Sequence, residues 1–180
     1  MGTRALIGYL DTSKKPMVLT STYNHWDGYP ENLGKGLKNF YNDDAKAKEI
    51  ANVGYISYLD PETGEWDAKN KDAADVTQLS SDFNEAMSEM AEKIDTYGAD
   101  FAYIWCSSSD KWETFQNKGI GALEFQLEKA FEHLNTTSDQ FDPDEANTYA
   151  AFSRMGEGEE EINLSESFVH RMKYRAGIIK

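Results

Sequence analysis

Two pairs of short apolar segments, each joined by a polar connector, predict two β-hairpins. Residues 5–10 form an apolar run, and residues 17–23 are rich in the β-branched side chains that favour strands. The polar connector at residues 11–16 is short, which favours antiparallel pairing of these strands. Residues 101–106 and 112–115 flank another polar connector and predict the second hairpin. The run at 101–106 is apolar throughout, which indicates a strand buried on both faces.

Apolar residues spaced three and four positions apart predict helices between and after these strands. The strongest pattern runs from Asp82 to Tyr97, where Asp82 is placed to cap the helix and Gly98 to end it in a left-handed conformation. A third strand is predicted at residues 55–59, before a turn at residues 60–64. Further helices are predicted at residues 33–41, 44–53 and 120–134.

Together these elements predict an α+β fold. The sheet is expected to be mainly antiparallel, built from two hairpins or a meander, with amphipathic helices packed on one face. Residues 1–136 are predicted to form this compact α+β domain, and residues 137–180 to form an acidic, then basic, C-terminal appendage. Between Asp139 and Glu166 the appendage carries nine acidic residues and one basic residue.

The composition narrows the classes of function. The 180 residues carry 32 Asp and Glu against 18 Lys and Arg, a formal net charge of −14. Such a surface repels phosphate backbones, so we expect no direct binding of nucleic acid. No apolar run is long enough to span a membrane and no leader is recognisable, so we expect a cytoplasmic protein without membrane contact. A single cysteine, Cys106, agrees with a reducing compartment.

The sequence contains few of the patterns that support catalysis or cofactor binding. His25, His133 and His170 lack the spacing of metal ligands, and the many carboxylates are interpreted as solvated charge, so we expect no metal and no other cofactor. Glycine-rich phosphate-binding motifs are absent. Cys106 lies in an apolar run, which predicts a buried strand residue. No catalytic residue is therefore predicted, and a role without catalysis is favoured.

The segment from Asn24 to Pro30 is the most unusual part of the sequence. It places two of the rarest residue types, His25 and Trp26, in a turn between a predicted strand and a predicted helix. Aromatic faces can stack on a base or a sugar, and neighbouring cations can bind an anionic group. In the alternative interpretation, the aromatic side chains only fasten the loop to the sheet, and His25 satisfies a backbone group. The candidate ligand-binding residues are Arg4, Tyr23, Asn24, His25, Trp26, Asp27, Tyr29 and Lys35.

Four stretches of this region resemble a group of small bacteriophage proteins. They are the Thr-Arg-Ala strand start at residues 3–7, residues 21–30 with the His-Trp-Asp-Gly-Tyr-Pro turn, the Leu-Gly pair at residues 33–34 and the Phe-Tyr-Asn sequence at residues 40–42. The resemblance covers the N-terminal part of the chain and does not extend to the acidic stretch. It implies a phage origin and expression in the cytoplasm of an infected bacterium, where small accessory proteins commonly inhibit host enzymes or blunt antiviral defence. It transfers no established activity.

Three hypotheses of function follow. The first is a non-enzymatic accessory protein that captures a small aromatic or nucleotide-like ligand at the loop, for example to sequester a defence signal. The second is an inhibitor that binds a host or defence enzyme through its acidic surface and tail, as a DNA mimic does. The third is a small hydrolase or transferase. The apolar and basic residues 168–179 also predict a homo-oligomer, because they complement the acidic domain of a neighbouring subunit.

Overall fold

The computed structural model describes residues 2–68 and 71–135, so the predicted appendage at residues 137–180 lies outside the described residues. The strands in this part of the chain are β1 (Ala5–Asp11), β2 (Val18–Asn24), β3 (Tyr55–Ile56), β4 (Tyr58–Leu59), β5 (Trp66–Asp67), β6 (Asp75–Gln78), β7 (Phe101–Cys106) and β8 (Lys111–Gln116). The α-helices are α1 (Lys35–Phe40), α2 (Asp44–Ala51), α3 (Phe83–Thr96), α4 (Ile120–Ala130) and α5 (Glu132–Asn135). A π-helical turn, Pro30–Gly34, leads directly into α1. None of the described helices has the length and apolar character needed to cross a membrane.

The two predicted hairpins form the middle of one mixed sheet. β1 pairs antiparallel with β2, and β7 pairs antiparallel with β8, as the sequence predicts. A parallel pairing of β1 with β7 joins the two hairpins. The outer edge of β2 is shared by β6, which runs antiparallel to it, and by β3, which runs parallel to its last two residues. β4 and β5 form a separate two-stranded sheet.

The predicted α+β class is confirmed, but the helices cover both faces of the sheet. Leu6 and Leu10 of β1 point into a core formed with α3 and α4, whereas Ile7 and Tyr9 point into a second core formed with α1 and α2. Successive strand residues alternate between faces, so a strand that is apolar at nearly every position needs cover on both. The expectation of helices on one face is corrected for this reason.

α3 begins and ends as the sequence predicts. The Asp82 side chain accepts a hydrogen bond from the Glu85 N–H at 3.0 Å, which caps the first turn. Gly98 follows the helix in the left-handed conformation, with a φ of +59°. Buried residues such as Met87 and Ile94 hold the helix against the sheet.

Several short elements differ from the prediction. The single strand expected at residues 55–59 is two strands, because β3 pairs with β2 and β4 pairs with β5. β5 and β6 carry exposed or half-buried side chains, so their hydrophobic pattern is too weak to predict a strand. The helix expected at residues 120–134 is interrupted at Phe131, where φ is −107°, and this separates α4 from α5.

Candidate functional site

The loop after β2 is fastened to its neighbours through the backbone. The N–H groups of His25 and Trp26 donate to the carbonyl oxygens of Ile56 and Ser57, at 2.9 and 3.0 Å. Asn24 donates from Nδ2 to the Trp26 carbonyl oxygen at 2.7 Å. These bonds fix the direction in which the His25 and Trp26 side chains leave the sheet.

Gly28 lets this loop pass close to the start of β1. Its N–H donates to the Thr3 carbonyl oxygen at 2.9 Å, and its carbonyl oxygen accepts a hydrogen bond from the buried Tyr103 hydroxyl at 2.8 Å. A Cβ atom at position 28 would lie 2.7 Å from the Cβ atom of Ala5, so the backbone approach requires glycine. Asp27 takes the left-handed conformation of the turn, with a φ of +53°, which aspartate adopts more readily than most residues.

Five ring-bearing side chains meet beside this loop, and we call them the aromatic cluster: Tyr23, His25, Trp26, Tyr55 and Tyr97. The Tyr23 ring stacks on the Tyr97 ring with 6.0 Å between centroids, and it contacts the Tyr55 ring at 5.8 Å. The Trp26 indole meets the His25 imidazole edge to face at 4.5 Å. The Tyr23 hydroxyl lies 3.4 Å from Nδ1 of His25, at the outer limit of a hydrogen bond. Side chains from separate parts of the chain thus form a connected aromatic surface.

Trp26 is the exposed member of the aromatic cluster. It is 45% exposed, whereas the other four members are partly buried. Gly2 packs against the indole so closely that a Cβ atom there would lie 2.1 Å from Cε3 of Trp26. An indole held in this way by neighbouring groups presents apolar surface to solvent at a defined place, and such surface can stack on a planar ligand.

Arg4 lies at the edge of the aromatic cluster. Its Nη1 atom is 3.6 Å from the point where a Cβ atom of Gly98 would stand, directly after Tyr97. Burial raises the pKa of the Tyr23 hydroxyl, and the positive charge of Arg4 opposes that rise. Arg4 is exposed, and none of the ion pairs among the described residues includes it.

A network of polar side chains contacts Tyr97 of the aromatic cluster. The Tyr97 hydroxyl donates to Oδ2 of Asp75 at 2.9 Å, and Lys93 Nζ contacts the same oxygen at 2.5 Å. Lys93 also donates to the Thr77 hydroxyl at 2.6 Å. The hydrogen bond from Lys93 is the main reason why the pKa of Asp75 is lowered. Burial, and then the Asp75 carboxylate, raise the pKa of Tyr97 to about 12, so this tyrosine stays a neutral donor.

The other predicted binding residues have different places. Lys35 forms an ion pair with Glu62 at the turn between β4 and β5. Tyr29 is 38% exposed at the start of the π-helical turn, and among the described residues no ring contact joins it to the aromatic cluster. Asn24 is fully buried and serves the loop through its amide, while Asp27 forms the turn itself.

The sequence does not indicate Tyr55 and Tyr97 as members of the candidate site. Tyr55 lies opposite Tyr23 because β3 pairs with β2, and Tyr97 is brought there by the end of α3. The hydrophobic pattern placed both residues in or beside regular elements, but it carried no information about their tertiary neighbours. Nδ1 of His25 lies 3.4 Å from the Tyr23 hydroxyl, a side-chain neighbour that the sequence did not indicate.

Cys106 is fully buried at the end of β7, as predicted. Its Sγ atom lies 3.2 Å from the Ser108 hydroxyl and 3.9 Å from Nε2 of His133, a neighbour that the sequence did not indicate. A nucleophilic thiol must reach its substrate, and Cys106 has no exposed surface in this conformation. This group of side chains therefore adds no open reactive site to the described structure.

Carboxylates near the sheet serve the fold. Asp43 caps α2, and Oδ1 of Asp44 accepts hydrogen bonds from the Tyr9 hydroxyl at 2.8 Å and from Trp105 Nε1 at 3.3 Å. Within residues 2–68 and 71–135, no three His, Cys, Asp or Glu residues group closely enough to hold a metal ion.

Comparisons of the chain with protein-family models, curated proteins and solved structures found no match.

Proposed function

We propose that this protein captures a small ligand through a planar aromatic group that stacks on the aromatic cluster. The observation that carries the proposal is the exposure of Trp26, which is 45% exposed although the His25 ring and Gly2 pack against it and position it. A tryptophan that only fastened the loop would gain more by burying its indole. Its accessible surface leaves room for a stacking partner.

The aromatic cluster is better suited to a small molecule with an aromatic ring than to a nucleic acid. Stacking of a base on an aromatic side chain contributes about 1–3 kcal/mol and tolerates many ring types. The net charge of −14 opposes a nucleic acid with its many phosphates, whereas a small molecule meets only the local field of the site. A small aromatic or nucleotide-like compound satisfies both conditions.

The proposal includes a biological setting, an infected bacterial cell. The resemblance of residues 3–5 and 25–30 to small bacteriophage proteins supports a phage-encoded accessory protein in the cytoplasm of an infected bacterium. Sequestration of a defence signal is the counter-defence role that suits a protein that acts by binding. A homo-oligomer remains a prediction, since it rests on residues 168–179, outside the described structure.

Titration with the neutral fluorescent dye N-phenylnaphthylamine tests the proposal. Trp26→Ala removes the exposed ring, and we expect it to weaken dye binding about fivefold or more, the equivalent of roughly 1 kcal/mol of lost stacking. Trp66→Ala is the matched control, because Trp66 is 42% exposed and lies outside the aromatic cluster. Circular dichroism verifies that both variants are folded.

Two results contradict this proposal. One is a wild-type protein that does not bind the dye. The other is equal weakening by Trp26→Ala and Trp66→Ala, which would assign binding to exposed indoles in general and not to the aromatic cluster.

The acidic outer face of α3 favours a second candidate function, inhibition of an enzyme that binds nucleic acid. Five exposed carboxylates follow this face at helical spacing, and they repeat a negative charge along one line as a phosphate backbone does. They are Asp82, Glu85, Glu89, Glu92 and Asp95.

Capture of proteins from bacterial lysate tests this second candidate. We expect a nucleic-acid-binding enzyme that is released by high salt, because salt screens exposed charges. Truncation after Ser138 separates the contribution of the acidic tail from that of α3. Capture that persists unchanged in high salt contradicts the charge-based mechanism.

A further inference from the structure

Resting on the proposed function, we propose that the captured ligand carries an anionic group beside its aromatic ring and that Arg4 binds this group. The ligand class is thus an aromatic phosphate, sulfonate or carboxylate, with a nucleoside monophosphate as the phosphate case. Arg4 is then the residue that sets specificity for the anion, while Trp26 supplies the stacking surface.

The strand register brings Arg4 to the aromatic cluster. The ladder between β1 and β2 ends where Ala5, the residue after Arg4, pairs with Asn24, the residue before His25. Ala5 points into the core on the α2 face, so Arg4, its neighbour in an extended segment, points to the opposite face. The position of its guanidinium next to Gly98, at the end of α3, agrees with this direction.

Arg4 is a cation without an ion-pair partner among the described residues. The nearby Asp100 carboxylate accepts a hydrogen bond from the Arg4 backbone N–H at 2.9 Å, so it is held by the main chain. In a chain with nearly twice as many acids as bases, an exposed arginine that forms an ion pair with none of the described acids is available to a ligand. Its planar fork matches the oxygens of phosphate, sulfonate and carboxylate groups.

Lys35, the other predicted charge partner, does not have this freedom. It pairs with Glu62, and the π-helical turn separates it from the aromatic cluster along the chain. Arg4 also has a structural role, since it lies beside the C-terminal end of α3, where the helix dipole attracts a cation. A purely structural role would alter stability but would not alter the preference between a neutral and an anionic ligand.

A matched pair of dyes tests the assignment. Anilinonaphthalenesulfonate has the ring system of N-phenylnaphthylamine and adds one sulfonate. We expect the full-length wild-type protein to bind the sulfonate dye about three- to tenfold more tightly, as a charge-assisted hydrogen bond at an exposed site allows. Arg4→Gln should abolish this preference, which is measured as the ratio of the two dye affinities within the same variant. Lys35→Gln removes the same charge and should keep the preference.

The other possible results of the dye titrations overturn either the inference about Arg4 or the proposed function as a whole. Equal affinity of the wild-type protein for the two dyes, or a preference that survives Arg4→Gln, overturns the inference about Arg4 while the stacking site stands. Failure of the wild-type protein to bind either dye overturns the proposed function together with this inference. Trp26→Ala should weaken both dyes, and a sulfonate preference that is independent of Trp26 places the anion outside the aromatic cluster and also overturns the inference.

Discussion

Gly28 is the residue on which the shape of the loop most depends. A side chain at this position would collide with Ala5 and with the Thr3 carbonyl oxygen, the group that accepts the Gly28 hydrogen bond. The sequence indicated a turn at Asp27 and Gly28, and in the structure the two residues contribute to this turn in different ways. Asp27 takes the left-handed conformation, whereas Gly28 provides the space.

Gly28→Ala is therefore expected to destabilise the protein by about 1–3 kcal/mol, the usual result of overpacking. Gly121→Ala is the matched control, because a Cβ atom there meets nothing within 4 Å and alanine favours the helical conformation of α4. Urea unfolding of both variants measures the two free energies. A Gly28→Ala protein as stable as the Gly121→Ala protein would contradict the close approach.

At the residue scale, the sequence predicted part of the site. The rarity and proximity of His25 and Trp26 marked the loop, and both side chains do meet in the aromatic cluster. Tyr55 and Tyr97 could not be found in this way, because strand pairing and helix packing bring them from distant positions. The sequence also did not indicate that Lys35, a predicted charge partner of a ligand, forms an ion pair with Glu62.

At the scale of elements, hydrophobic pattern predicted most of the strands and helices but not their partners. The apolar run of β7 indicated burial on both faces, and this burial is achieved by helices on both sides of the sheet. The parallel pairing of β1 with β7 leaves no trace in local sequence, because it joins segments far apart in the chain. β6 escaped prediction because its side chains are largely exposed and polar.

The contacts of Asp75 in β6 with Lys93 and Tyr97 predict that the stability of the protein depends on pH. Lys93 and Tyr97 lower the pKa of Asp75 in the folded protein, so the ionised form stabilises the fold. For a lowered pKa, this contribution is present above the unfolded value of about 3.9 and is lost as the pH falls through the folded value. The stability difference between wild type and Asp75→Asn should therefore shrink below a pH of about 4.

Urea unfolding at neutral and acid pH measures this difference. Asp72→Asn removes an exposed charge from the segment that precedes β6 and serves as the charge-matched control. A stability difference between wild type and Asp75→Asn that stays constant from neutral to acid pH would contradict the role of the Asp75 carboxylate.

At the scale of the whole molecule, charge and aromatic surface define what the protein can bind. The net charge of −14 disfavours polyanions, whereas the ligand that we propose is a single aromatic anion, held by Trp26 and Arg4. Composition could predict the first property, because it depends only on counts. The second depends on tertiary neighbours and required the structure.

Fluorine NMR of the full chain labelled with fluorotryptophan tests stacking on Trp26 most directly. The four tryptophans, Trp26, Trp66, Trp105 and Trp112, give separate probes within one molecule, and the last two are buried. During titration with N-phenylnaphthylamine we expect the Trp26 resonance to shift with saturation, while the resonance of the similarly exposed Trp66 stays in place. A Trp26 resonance that does not move, or a Trp66 resonance that moves equally, would contradict binding at the aromatic cluster.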